Sequence, residues 1–265
     1  MTSSSLEVSL LKPDEAELYM RIRHEVFRPT VNHILYSRGE PSQKTLDKVT
    51  NDIRELLAKG VIFLKCVDTT TGEMIAGARW RYVKPEQEGA KERTWEEVDA
   101  GLTIPEPFDE SDPDMWKEVF GLINENKREI LQTRPHYVLD TLVVKQEHER
   151  RGAGGMLVRW GCEKADEADV EAYLEASPMG APLYARHGFQ RVKDLDLDLR
   201  KWGGTEQIKL IRLKSPLAIH VFCIGKVLCG WILTPEKFGQ TSAHIPYSRL
   251  WSTIHMYAES VFLEY

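Results

Sequence analysis

The chain has 265 residues, of which 42% are hydrophobic and 29% charged. These proportions fit a globular protein and exclude wholesale disorder. The formal net charge of −6 disfavours a basic nucleic-acid-binding domain. The charge is also uneven. Of the 76 Asp, Glu, Lys and Arg residues, 70 lie in 1–214 and six in 215–265. The sequence reads as one charged domain, 1–214, followed by an appendage of different character, 215–265.

The start, Met1–Ser5, has neither a positive nor an apolar region, so secretion is not expected and the reading is cytoplasmic. Glu7–Leu11 reads as a strand. Pro13 and Asp14 open a helix to about Phe27, with Leu18, Ile22 and Val26 at helical spacing and Pro29 as the stop. Leu46, Val49, Ile53, Leu56 and Leu57 mark a second helix, ended by Gly60. Val61–Asp68 and Met74–Val83 flank a Thr-Thr-Thr-Gly turn and predict a hairpin. Residues 86–114 hold eleven Asp or Glu against two Lys or Arg. They read as a long insertion (the whole excursion spans about 85–135), either a solvated loop or an electrostatic guide for a cationic acceptor. Trp116, Val119, Phe120 and Ile123 predict a helix to about Leu131.

His136–Val144 is a strongly apolar strand. It leads through a charged connection to Gly152-Ala153-Gly154-Gly155 and a helix beyond. Glu171–Ser177, a short helix over 178–188, and strands over 189–199 and 206–213 complete the domain. A strand feeding a glycine-rich helix N-terminus is an anion site, because free N–H groups and the helix dipole face the anion. A Walker loop is excluded by the missing Gly-Lys-[Ser/Thr]. A dinucleotide fingerprint is excluded because its last position falls on Leu157. A pyrophosphate cradle remains, with Arg150 and Arg151 supplying charge.

The succession RRGAGGMLVRWG, AYLEASPMGAPLYARHGF and a last strand near KWGG resembles the GNAT acyltransferase superfamily, and within it the fungal-type members. The resemblance covers about 8–84 and 136–214 and is most specific over 139–199. It implies an α/β (α+β) fold with a mixed, mostly antiparallel central sheet, flanked by helices, in which two parallel strands splay apart. It also implies acetyl-CoA as acyl donor, a small amine as acceptor, and N-acetyl transfer by direct attack in a ternary complex.

The pantetheine arm would then pair with the backbone at Leu142, Val143 and Val144. The pyrophosphate would lie on Arg150, Arg151, Gly152, Ala153, Gly154 and Gly155. Ser177 stands where many relatives carry an Asn that contacts the arm; as an N-cap for the helix at Pro178 it has an equally good reason. Tyr184 matches the family's general acid. Asp140 occupies a position where some amine acetyltransferases place a base, although pairing with Arg79 or Arg81 would explain it as well. Strand alternation puts Val138, Asp140 and Leu142 on one face. Glu175, Tyr173, His136 and Tyr137 are further lining candidates. One departure from the pattern stands out: the first R/Q of the motif falls on Glu149, which reverses a charge at the cradle.

A rival reading keeps the glycine turn in a CoA-binding or regulatory module without turnover. Cys66, Cys162, Cys223 and Cys229 show no zinc spacing, and no metal is expected. Ser215–Thr234 approaches spanning length, but Pro216, His220 and Lys226 interrupt it, so a membrane span is not expected. For 215–265 three readings stand: a packed extension covering the sheet or a dimer partner, a membrane-associating segment, or a non-native continuation of the reading frame.

Overall fold

A computed structural model describes residues 5–202 and 207–215. Strand β1 (Leu6–Leu10) leads to helices α1 (Ala16–Phe27), α2 (Asn32–Leu35) and α3 (Gln43–Ala58). The hairpin consists of β2 (Ile62–Asp68) and β3 (Glu73–Val83). Helices α4 (Trp95–Ala100) and α5 (Pro113–Leu131) precede β4 (His136–Val144). Helix α6 (Ala153–Glu167) joins β4 to β5 (Glu171–Ala176), and α7 (Ala181–Ala185), β6 (Gln190–Asp198) and β7 (Gln207–Lys214) follow. The strands form one sheet in the order β1-β2-β3-β4-β5-β7-β6. Only the β4–β5 neighbours are parallel; the other pairs are antiparallel.

Local chemistry sets the helix ends. The Ser42 hydroxyl accepts from Thr45 N–H to start α3, and Gly60, at φ +83°, turns the chain after it. The Asp112 carboxylate accepts from the N–H groups of Asp114 and Met115, and Pro113 sits in the first turn of α5, where its missing N–H costs nothing. Helix α5 belongs to the packed body: Met115 and Val119 bury against Leu197, and Leu131 against Val138 and Tyr173.

The acidic stretch before α5 is largely committed to caps and pairs. Thr94 and Glu97 form a capping box, and Asp99 pairs with Arg128 at 2.7 Å. Asp109 pairs with Lys44 at 2.9 Å, and the Glu110 carboxylate accepts from Ser42 N–H and the Thr45 hydroxyl. These engaged carboxylates hold the insertion against α3 and α5, which weakens its reading as a guide for cations.

The sheet is covered on both faces. On one, α6 packs Leu157, Val158 and Ala165 against Trp80, Leu139 and Leu174. Gly161 is required there, because an added Cβ would lie 2.1 Å from the Trp80 ring. On the other, α1 and α3 bring Tyr19, Met20 and Ile53 onto Phe63 and Val143.

The β3–β4 register slips between Arg79 and Trp80: Arg79 opposes Thr141 and Trp80 opposes Leu139, which leaves Asp140 as an extra residue. This bulge corrects the simple alternation expected for β4. Leu142 and Val144 pack with Tyr137 and Leu139 on the α6 face, while Val138 and Val143 face the other helices. Among the described residues no helix is long and apolar enough to cross a membrane. The Ser215–Thr234 segment lies outside the described residues beyond Ser215, as do Gly203, Gly204 and the rest of the tail.

Candidate active site

The parallel ladder joins His136–Leu139 to Glu171–Leu174 and stops there. Past Leu139, β4 continues to Val144 with β3 as its partner, while β5 turns to β7 through Glu175 and Ala176. The sheet therefore opens as a wedge, leaving the β5-facing backbone of Thr141–Val144 without a ladder. A wedge of this kind can take an extended chain carrying amide groups.

At its mouth lies the glycine turn. Arg150 and Gly152 both have positive φ, +59° and +99°, which swings the chain into α6. Gly152 is the N-cap and no side chain caps the helix, so the first-turn N–H groups of Ala153, Gly154 and Gly155 face outward, as an anion site requires. A Cβ on Gly154 would sit 3.2 Å from Leu183 and 3.6 Å from Val144, so glycine keeps this turn close to both the wedge and α7.

Arg151 is held from behind. Its Nη2 donates to Asp68 Oδ2 at 2.5 Å, and its Nη1 lies 2.8 Å from His148 Nδ1. Asp68 is buried and its other oxygen accepts from Thr70 N–H. The hydrogen bond from Arg151 brings the Asp68 pKa down. Arg150 and Glu149 are exposed.

Helix α7 places Tyr184 in the core beside Phe189, 8% exposed. Burial raises its phenol pKa, so it stays protonated and can serve as a proton donor. Ser177 closes the turn before α7, its hydroxyl accepting from Gly180 N–H at 3.2 Å. The helix begins at Ala181 with Gly180 as its N-cap, so Ser177 caps the preceding turn and not a helix at Pro178.

On the face opposite α6, the wedge is lined by charge. The Asp140 side chain is 6% exposed and accepts two hydrogen bonds from Arg81, 2.5 and 2.9 Å long; Arg79 Nε lies 3.3 Å away. Burial alone would raise its pKa, but the two guanidinium groups hold it far below the usual carboxylate range. Glu175, the first β5 residue past the parallel ladder, accepts from the Tyr173 hydroxyl at 3.2 Å and lies 3.7 Å from Lys127 of α5. Across the β5–β7 pair it faces Arg212. Burial pushes the Tyr19 phenol of α1 up to about 12, and the charges of Arg23, Arg79 and Asp140 reach it. Of the sequence candidates, Tyr137 stacks on Tyr82 on the α6 side. His136 is buried and kept neutral, its pKa pushed down to about 4 by burial.

Arg23, Lys127 and Arg212 belong to this cluster, and sequence reasoning missed them. Each is a lone cation on an ordinary element, and only the α1 and α5 packing and the insertion of β7 beside β5 bring them together. Among the described residues, Glu73, Glu147 and His148 have metal-like spacing, but Glu73 already pairs with Lys145.

Residues 77–189 match the profile of the acetyltransferase (GNAT) family. The fold is shared with a mosquito arylalkylamine N-acetyltransferase-like protein 5b at 15% identity and TM-score 0.56, covering 79% of this chain and 99% of that one. It is also shared with arylalkylamine N-acetyltransferase 2 of Aedes aegypti, at 12% identity, TM-score 0.56, and coverage of 80% and 99%. A third is the Drosophila melanogaster polyamine N-acetyltransferase, at 13% identity, TM-score 0.52, and coverage of 79% and 98%. At these identities the likeness concerns the fold.

Proposed function

We propose, from the match of residues 77–189 to the acetyltransferase (GNAT) family, that this chain is an acetyltransferase of that family and transfers the acetyl group of acetyl-CoA to a small amine by direct attack in a ternary complex. The observation that carries this reading is the wedge past Leu139, which ends beside an uncapped helix N-terminus. Acetyl-CoA would supply the activated thioester. Its pyrophosphate fits the N–H groups over 150–155, and its amide-bearing arm fits the unpaired edge of Leu142, Val143 and Val144. Ser177 stands at the turn on the opposite lip.

Aminolysis needs a neutral amine, a stabilised oxyanion and a proton for the departing thiolate. In this reading Tyr184 gives that proton, and an N–H at Val143 or Val144 polarises the carbonyl. Asp140 is a base by position, yet Arg79 and Arg81 hold its pKa so far down that it has little affinity for a proton. We give it the task of fixing those guanidinium groups, and we give the acceptor's proton to Glu175 or to water. The cationic surroundings assist, because they disfavour an ammonium ion at the same place.

A thiol-release assay of the full chain with acetyl-CoA and a panel of amines tests the proposal. Amine-dependent release supports it. Glu149, an exposed acid at the cradle, favours the alternative of a binding module. That alternative predicts stabilisation by acetyl-CoA with no release for any amine.

A further inference from the structure

Many exposed arginines of this chain hold a carboxylate: Arg21 pairs with Glu17, Arg28 with Glu40 and Arg128 with Asp99. Arg150, Arg159 and Arg186 are exposed too, yet none of them pairs with a described carboxylate. All three lie about the start of α6. Arg150 precedes its glycine N-cap, Arg159 is on α6 itself, and Arg186 is the C-cap of α7, the helix whose Leu183 approaches Gly154.

His187 joins them. Its ring lies over the first turn of α6: a Cβ added to Gly155 would be 3.4 Å from its Nε2. The ring is half-buried, and burial lowers its pKa. The charges of Arg159 and Arg186 lower it further, so both cations bear on one imidazole. Like charges gathered at one place repel, and an anion between them removes that cost. In a chain of net charge −6, such a local excess of cations is not background.

The pyrophosphate of acetyl-CoA accounts for the N–H groups of the glycine turn and for Arg150. It leaves the side chains on the α7 side without a partner. The donor carries a second anion, one ribose away from the pyrophosphate: the 3′-phosphate, with about two negative charges near pH 7. We propose that Arg159, Arg186 and His187 form a lip that takes this 3′-phosphate, so that the protein distinguishes acetyl-CoA from acetyl thioesters lacking the group. The guanidinium groups supply charged donors suited to a phosphate, and the neutral imidazole still offers one N–H. This inference rests on the transferase reading and adds to it the specificity for the donor.

Titration calorimetry of the full chain with CoA and with 3′-dephospho-CoA tests it. The expected result is a Kd at least about tenfold lower for CoA, equivalent to about 1.4 kcal/mol. Arg159→Gln, Arg186→Gln and His187→Gln should each weaken CoA binding by about threefold or more and leave 3′-dephospho-CoA within about twofold, losses of the size of one hydrogen bond to a charged group. Arg150→Gln, which acts on the pyrophosphate, should weaken both ligands alike. The melting temperature shows whether each variant is folded. Equal binding of the two ligands by the unaltered chain, or loss of both alike in the three lip variants, overturns the lip and leaves the transferase reading intact. A preference for CoA that survives all three substitutions overturns the assignment to these residues. Binding of neither ligand by the unaltered chain overturns both the lip and the transferase reading.

Discussion

Asp68 grips Arg151: Oδ2 of the carboxylate lies 2.5 Å from Nη2 of the guanidinium, joining the end of β2 to the turn that opens α6. The two residues are 83 apart in sequence. The Asp68 side chain is 7% exposed and also holds its own hairpin turn through Thr70 N–H. Arg151 therefore reaches the glycine turn already oriented.

Asp68→Asn should loosen this cation without touching the wedge. The expected outcome is a KM for acetyl-CoA raised about five- to tenfold, the loss of one charge-assisted hydrogen bond, with kcat little changed. Initial-rate measurements with acetyl-CoA varied provide the check. A fall in kcat at constant KM would mean that the pair serves the chemistry instead.

Tyr184→Phe removes the phenol and keeps the ring that packs beside Phe189. We expect kcat to fall about tenfold, less than the usual range for a general acid because a thiolate leaves readily. Acetyl-CoA binding, followed by calorimetry, should stay within twofold or so. Unchanged turnover would show that the phenol is only a packing group.

Asp140→Asn leaves Arg79 and Arg81 facing a neutral amide at a nearly buried position. The expected loss is about 2–3 kcal/mol in urea unfolding, below the full cost of breaking a buried pair because both arginines are partly exposed. The sign of the pH dependence follows from the lowered folded pKa of Asp140. Its contribution is fully present above the unfolded value, about 3.9, and is lost as pH falls toward the folded value. The gap between the two proteins should be constant from pH 5 to 8, in rough terms, and should narrow below about pH 4. A gap that widens on acidification would contradict the assigned pairing.

Gly161→Ala places a methyl group where the Trp80 ring lies, 2.1 Å away. Either α6 or the indole must shift, and Trp80 would lose its hydrogen bond to the Leu157 carbonyl. The predicted cost is about 2–3 kcal/mol, the upper part of the usual range for overpacking. Thermal unfolding monitored by tryptophan fluorescence checks it.

Most of the fold was legible in the sequence because its strands and helices carry strong local signals. Pro29, Gly60 and the Thr-Thr-Thr-Gly turn punctuate elements whose apolar spacing is plain. The bulge at Asp140 was not legible. A period of two continues through HYVLDTLVV in letters, and only pairing with β3 reveals the extra residue. The fate of the acids in 86–114 was hidden for a similar reason, since Asp109 and Glu110 find partners on α3, more than sixty residues earlier. At the candidate site, the glycine turn and Tyr184 stood out as a pattern. Arg23, Lys127 and Arg212 did not, because a cation on a helix or strand reads as solvated surface until tertiary packing buries it.

The central claim is direct transfer of acetyl from acetyl-CoA to an amine at the wedge. Initial rates with acetyl-CoA and acceptor varied together, with the acetylated amine quantified by mass spectrometry, test it most directly. The account predicts intersecting double-reciprocal lines and one acetylated amine for each thiol released. Parallel lines with acetyl recovered on the protein, or thiol release without acetylated amine, would contradict it.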